Sequence, residues 1–196
     1  KSDRIDLLSE LVQQLVHDTK DVSLSPFSAE IAVCVTIVVM LLARLFDGLR
    51  WLNAWVLALI GSIAAFSLAV APALQGLPGE RVEFFTGMLV YDSFSVYVRS
   101  FLLAFAVLFV IFTRLSGIPR RGDGTDFYCL FLGSTVGMCL MASANHMLSV
   151  FLAVEMASVP SYALAGILRQ QKSSEAALKY AVYGAGAAGV MVYGIS

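Results

Sequence analysis

The feature that most constrains this chain is a succession of six apolar runs, each about 20 residues long, the length that crosses ~30 Å of hydrocarbon. They cover residues 27–45, 54–74, 94–115, 127–144, 147–168 and 176–195. A soluble domain of 196 residues with 59% hydrophobic and 14% charged residues would leave large apolar patches in water. The runs are continuous rather than alternating, and each is about twice the length of a barrel strand, so helices are expected and a membrane barrel is not. The expected fold class is all-α integral membrane with six transmembrane helices, and the lipid bilayer is the partner that composition requires. A net charge of −1 leaves no basic field for nucleic acid.

Ahead of the first run lies KSDRIDLLSELVQQLVHDTKD, in which Ile5, Leu8, Val12, Leu15 and Val16 recur at helical spacing. It is too short and too charged to span, so an amphipathic helix lying on the membrane or on a partner is expected over residues 1–25. The chain begins with Lys1 and stops in VMVYGIS without a polar anchor, so a longer working protein is expected. Cys34, Cys129 and Cys139 are odd in number, form no C-x-x-C pair and sit in apolar runs. They read as small buried hydrophobes, not as a disulfide, zinc or iron–sulfur framework.

Orientation follows from the loops. Those after the first, third and fifth runs hold Arg44, Arg50, Arg114, Arg120, Arg121, Arg169 and Lys172, whereas the opposite face receives Arg81 and the short link at Asn145. The excess of positive charge places the first set in the cytoplasm and the N-terminus outside.

Ionisable residues inside spans are expensive and therefore candidates for function. Glu155, in FLAVEMASVPSYALAG, stands nine residues from His146 and fourteen from Arg169, near mid-membrane, with no basic residue within a turn of it. Ser158 and Tyr162 share its face and are expected to offer hydrogen bonds, and Pro160 frees the carbonyl of Met156. Lys179 lies about one turn inside the sixth run, with Glu175 four residues earlier in the favourable order for an ion pair and Tyr183 one turn deeper to extend a polar path. Burial would raise the proton affinity of the acid and lower that of the lysine, which suits proton transfer; a structural glutamate and a lysine reaching back to the interface are the plainer alternatives. Arg99, near the outer end of the third run, reads as an interfacial anchor. Glu30, at the outer start of the first, reads as an acid that can reach water. His146 reads as an interfacial residue at a helix start, with proton relay as the second possibility. The run GAGAAG, Gly184 to Gly189, fits G-x-G-x-x-G but is embedded in an apolar helix with no preceding strand, so close helix packing is expected rather than nucleotide binding.

The stretches GMCLMASANHMLSVFLAVEMASVPSYALAG and SSEAALKYAVYGAGAAGVMVYGIS resemble subunit N of the proton-pumping NADH–quinone oxidoreductases, respiratory complex I. The segments LVYDSFSVYVRSF and SAEIAV are similar to that family's third and first helices, so the resemblance runs through most of the chain after Pro26. It implies a subunit of about fourteen helices, in which three leading helices precede two inverted five-helix repeats, each repeat holding one broken helix. Residues 26–125 would supply the leading helices and 126–196 the first three helices of the first repeat.

The resemblance also implies a role as a non-redox subunit of a proton translocase. Glu155 matches the family's essential glutamate and Lys179 the lysine of its ALKY motif, while His146 stands where many relatives carry an acid. No cofactor is expected on this chain; NADH, FMN, iron–sulfur clusters and quinone belong to the whole complex. Its partners would be other membrane-arm subunits, and its location the bacterial inner membrane. A related class, the multi-subunit cation/proton antiporters, usually carries Trp or Phe before the glutamate, where this chain has Val154. A structural membrane subunit without transport is the third reading.

Overall fold

The computed structural model describes residues 26–45, 53–75, 81–117 and 124–196. The amphipathic segment expected over 1–25 lies outside them, as do Arg50, Arg120 and Arg121. Six long helices follow in order: α1 (Ser28–Leu45), α2 (Ala54–Gln75), α3 (Ser93–Leu115), α4 (Gly124–Ser143), α5 (Met147–Ala165) and α6 (Gln171–Ile195). Five of them, α1 to α5, are long and apolar enough to cross a membrane. The sixth expected span is a helix of 25 residues but is not among those five. Lys172, Glu175 and Lys179 crowd its first nine residues, and tyrosines and glycines dilute the rest.

Helices α1 to α4 share one core, built from Ala29, Val33 and Met40 of α1, Ala58 and Ala65 of α2, Leu103, Ala106 and Val110 of α3, and Leu132 and Val136 of α4. Lipid tails are as apolar as leucine, so burial from water does not hold such helices together; close packing does, and small residues such as Ala58, Ala65 and Ala106 allow it. Phe109 of α3 stacks on Phe131 of α4 with ring centroids 4.1 Å apart. Helix α5 packs on α4, and α6 on α5; α6 has no fully buried residue.

The apolar pattern predicts no strands, yet the α2–α3 connection contains a two-stranded antiparallel hairpin, β1 (Val82–Phe84) and β2 (Leu89–Tyr91). Phe85, Thr86 and Gly87 take positive φ at its tip, which turns the chain within four residues. The hairpin meets the α4–α5 link: Leu89 bridges Ala144, and the Asn145 backbone N–H donates to the Met88 carbonyl at 2.9 Å. The Asn145 side-chain amide donates to the Gly87 carbonyl at 3.0 Å, and Arg81 donates to the Asn145 carbonyl oxygen. At the other end of the bundle Arg44 pairs with Asp126, and Arg114 lies over the Trp55 ring at 5.5 Å. The start of α3 and the end of α4 thus meet at the hairpin end, and the ends of α1 and α3 meet the starts of α4 and α2 at the other, the alternation expected of successive spans.

Candidate functional site

Glu155 sits two turns into α5, partly buried, with no hydrogen bond or ion pair among the described residues. The expected local partners are turned elsewhere. The Ser158 hydroxyl donates to the Val154 carbonyl at 2.7 Å, the ordinary way for a helical serine to satisfy itself one turn back. The Tyr162 ring packs edge-on against Tyr180 of α6, with centroids 4.5 Å apart, and its hydroxyl occupies the space beside Gly184, where a Cβ would stand 1.9 Å from the Tyr162 Oη. Neither residue hydrogen-bonds the acid.

The backbone just after Glu155 is held by α4. Pro160 lies within α5 without ending it, and it has no N–H to return to the Met156 carbonyl. Gly137 of α4 presses on that same peptide unit: a Cβ there would lie 2.7 Å from the Met156 carbonyl carbon and 2.5 Å from the Ala157 nitrogen. The Ser134 hydroxyl crosses from α4 to donate to the Ala157 carbonyl at 2.9 Å. The residue after Glu155 is thus fixed by direct backbone contact between two helices. Ser134 and Gly137 were not picked out from sequence; the small, polar GSTVG run in the fourth apolar stretch was the available signal.

Lys179 forms the expected helix pair, its Nζ 2.5 Å from Glu175 Oε1. It is not enclosed, however: the two side chains are 67% and 60% exposed. Tyr183 is 79% exposed and extends no enclosed polar path. The helices are antiparallel, with Gly166 opposite Ala177 and Tyr162 opposite Tyr180 and Gly184. Glu155 lies seven residues beyond Tyr162, about 10 Å at the helical rise. That puts it level with the Gly184–Gly189 run and well short of Lys179. The two carried-over residues are brought onto neighbouring helices but not into contact. GAGAAG lies wholly within α6; of its glycines only Gly184 makes the expected close approach, to Tyr162, while Gly186 and Gly189 face open space among the described residues.

His146 is the N-cap of α5, its Nδ1 accepting from the Leu148 N–H at 3.2 Å. That hydrogen bond is the capping chemistry of a helix start.

Two expectations are corrected at the hairpin end. Arg99 is not an interfacial anchor and Glu30 does not reach water. They pair with each other, 3% and 2% exposed, joining α3 to α1. Arg99 Nη2 also donates to the Pro26 carbonyl at 2.8 Å, and the Tyr91 ring lies 5.9 Å from the guanidinium. The hairpin is the reason: Phe84 and Val90 are buried, Phe85 meets Phe27 edge-on, and together they roof what the apolar pattern alone left open to water. Burial pushes the Tyr91 phenol up, Arg99 draws it down and Glu30 adds to the rise. Asp92 is not a partner of Arg99; it caps α3, accepting from the Ser95 N–H at 2.7 Å. A buried pair of this kind barely offsets its own desolvation, but losing one member strands the other at about 3–5 kcal/mol.

Among the described residues no group of three or more His, Cys, Asp or Glu side chains could hold a metal ion. The three cysteines are free thiols, Cys139 buried and the others half-buried.

The transmembrane family described as NADH:quinone oxidoreductase/Mrp antiporter matches residues 144–196, the stretch that carries α5 and α6. NADH-quinone oxidoreductase subunit N 2 of Symbiobacterium thermophilum is 34% identical over 173 residues, covering 85% of this chain and 34% of that protein. Subunit N of Neisseria gonorrhoeae is 34% identical over 180 residues, covering 90% of this chain and 36% of the relative. The structure of respiratory complex I from Thermus thermophilus with bound aureothin contains a chain that superposes with a TM-score of 0.66 at 30% identity, covering 85% of this chain and 35% of that one. This chain spans about a third of the length of the curated relatives it matches. In sequence and in fold, this multi-helix membrane chain is similar to about a third of subunit N of the NADH-quinone oxidoreductases.

Proposed function

We propose that this chain forms part of a membrane-arm subunit that carries protons across the bacterial inner membrane, coupled to electron transfer from NADH to quinone in partner subunits. The single observation that carries the reading is Glu155: an acid in an apolar helix, its carboxylate without a partner among the described residues, next to a close backbone contact at Met156 and Ala157. In this reading the acid exchanges its proton as a charge on a neighbouring group arrives and leaves. At an effective dielectric of about 20, a unit charge about 4 Å away is worth roughly 4 kcal/mol. Lys179 is the second transfer group in this reading, and its pairing with Glu175 gives the lysine an alternative partner to leave. The N-terminus lies outside, as the basic loops indicate. Residues 26–125 form the leading helices and 126–196 open the translocating repeat. The redox cofactors are carried by other subunits, and this chain takes part in the enzyme without itself performing oxidation.

The test is Glu155→Gln in the full-length subunit within the assembled complex, followed by NADH-driven proton uptake into vesicles. Pumping is expected to fall at least tenfold while the complex still assembles. Wild-type pumping with intact quinone reduction would remove Glu155 from the route. The matching family also includes Mrp antiporter subunits, which gives the antiporter reading its one support. Sodium/proton exchange in vesicles without NADH would favour it.

A further inference from the structure

The Glu30–Arg99 pair leaves one buried polar group over. Arg99 Nη2 serves Glu30 and Pro26, but Nε, also buried, has no hydrogen-bond partner among the described residues. Beside the guanidinium lies a cavity of about 20 Å³, lined by Ser28 of α1, Leu68 and Pro72 of α2, Tyr91 of β2, and Val96 and Arg99 of α3. That volume exceeds the ~10–15 Å³ one water needs and is too small for a polyatomic anion. The charge of the guanidinium is already answered by Glu30, so an anion has no electrostatic call to enter. The lining also includes the residue whose carbonyl lacks its helical donor. Pro72 lies inside α2 and cannot donate to the carbonyl of Leu68, four residues earlier, and Leu68 borders the same space.

We propose that one tightly held water occupies this cavity, accepting from Arg99 Nε and donating to the Leu68 carbonyl. It completes a polar staple that ties α1, α2 and α3 together beneath the hairpin. The site differs from the proton-transfer groups proposed on α5 and α6 and does not depend on them. The test is a structure of the intact assembly in lipid nanodiscs at a resolution that shows ordered water. A single peak about 2.7–3.2 Å from both Arg99 Nε and the Leu68 oxygen is expected. Pro72→Ala, which restores the N–H to Leu68, is expected to weaken or abolish that peak. A dry cavity in the wild type, a protein acceptor on Nε, or a peak unchanged in Pro72→Ala overturns the proposal. If the variant does not assemble, the wild-type map decides alone.

Discussion

Gly137 of α4 approaches Ala157 of α5 so closely that a Cβ on the glycine would stand 2.5 Å from the Ala157 backbone nitrogen. The obstacle is main chain, which cannot swing aside as a side chain does. Gly137→Ala must therefore push α4 and α5 apart, at about 1–3 kcal/mol, the usual cost of overpacking. The contact adjoins Met156, the residue after Glu155, so the displacement also moves the acid. The expected result is a lower thermal midpoint for the purified assembly together with reduced pumping. An unchanged midpoint would show that the helices are not in backbone contact. Gly186, on α6, has open space around its Cβ position in this chain and serves as the control for substitution alone.

Much of this was legible beforehand because lipid imposes one rule on every segment: satisfy the backbone within a helix. The starts and ends of α1 to α5 lie close to those of the apolar runs for that reason. What was not legible depends on pairs distant in sequence. Glu30 and Arg99 are separated by 69 positions, and each alone reads as a residue near a span's end. Only the fold of the hairpin over them converts two interfacial charges into a buried pair. Likewise, Ser158 and Tyr162 lie on the face of Glu155 by spacing, but spacing is silent on rotamers. The Ser158 hydroxyl goes to the Val154 carbonyl, and the Tyr162 ring turns to α6, against Tyr180 and Gly184.

The Glu30–Arg99 pair yields a prediction with a built-in control. Arg99→Met leaves the Glu30 carboxylate buried and unpaired, and about 3–5 kcal/mol of stability is expected to go with it. Glu30→Gln combined with Arg99→Met removes both charges and keeps volumes similar, so most of that loss is expected to return. Thermal unfolding of the two variants in the same detergent reads the difference. Equal destabilisation by the single and double substitutions would mean that the residues contribute through packing and not through their mutual charge.

Lys179 and Glu175 set the opposite case. Their contact at 2.5 Å is short, but both side chains are largely exposed, and an exposed pair one turn apart on a helix contributes only about 0.3–0.5 kcal/mol. Glu175→Ala should therefore leave the thermal midpoint within about a degree or two of wild type, given the modest shift that a few tenths of a kcal/mol produces in a large assembly. Its effect on transport separates two roles for the pair. If Glu175 holds Lys179 ready for proton transfer, Glu175→Ala lowers pumping and shifts its pH profile while stability stays level, and Glu175→Asp restores part of the rate. If the pair only secures the start of α6, pumping follows stability and scarcely changes. The pH profile is the readout that a purely structural role would not move, because the proton route then does not pass through Lys179.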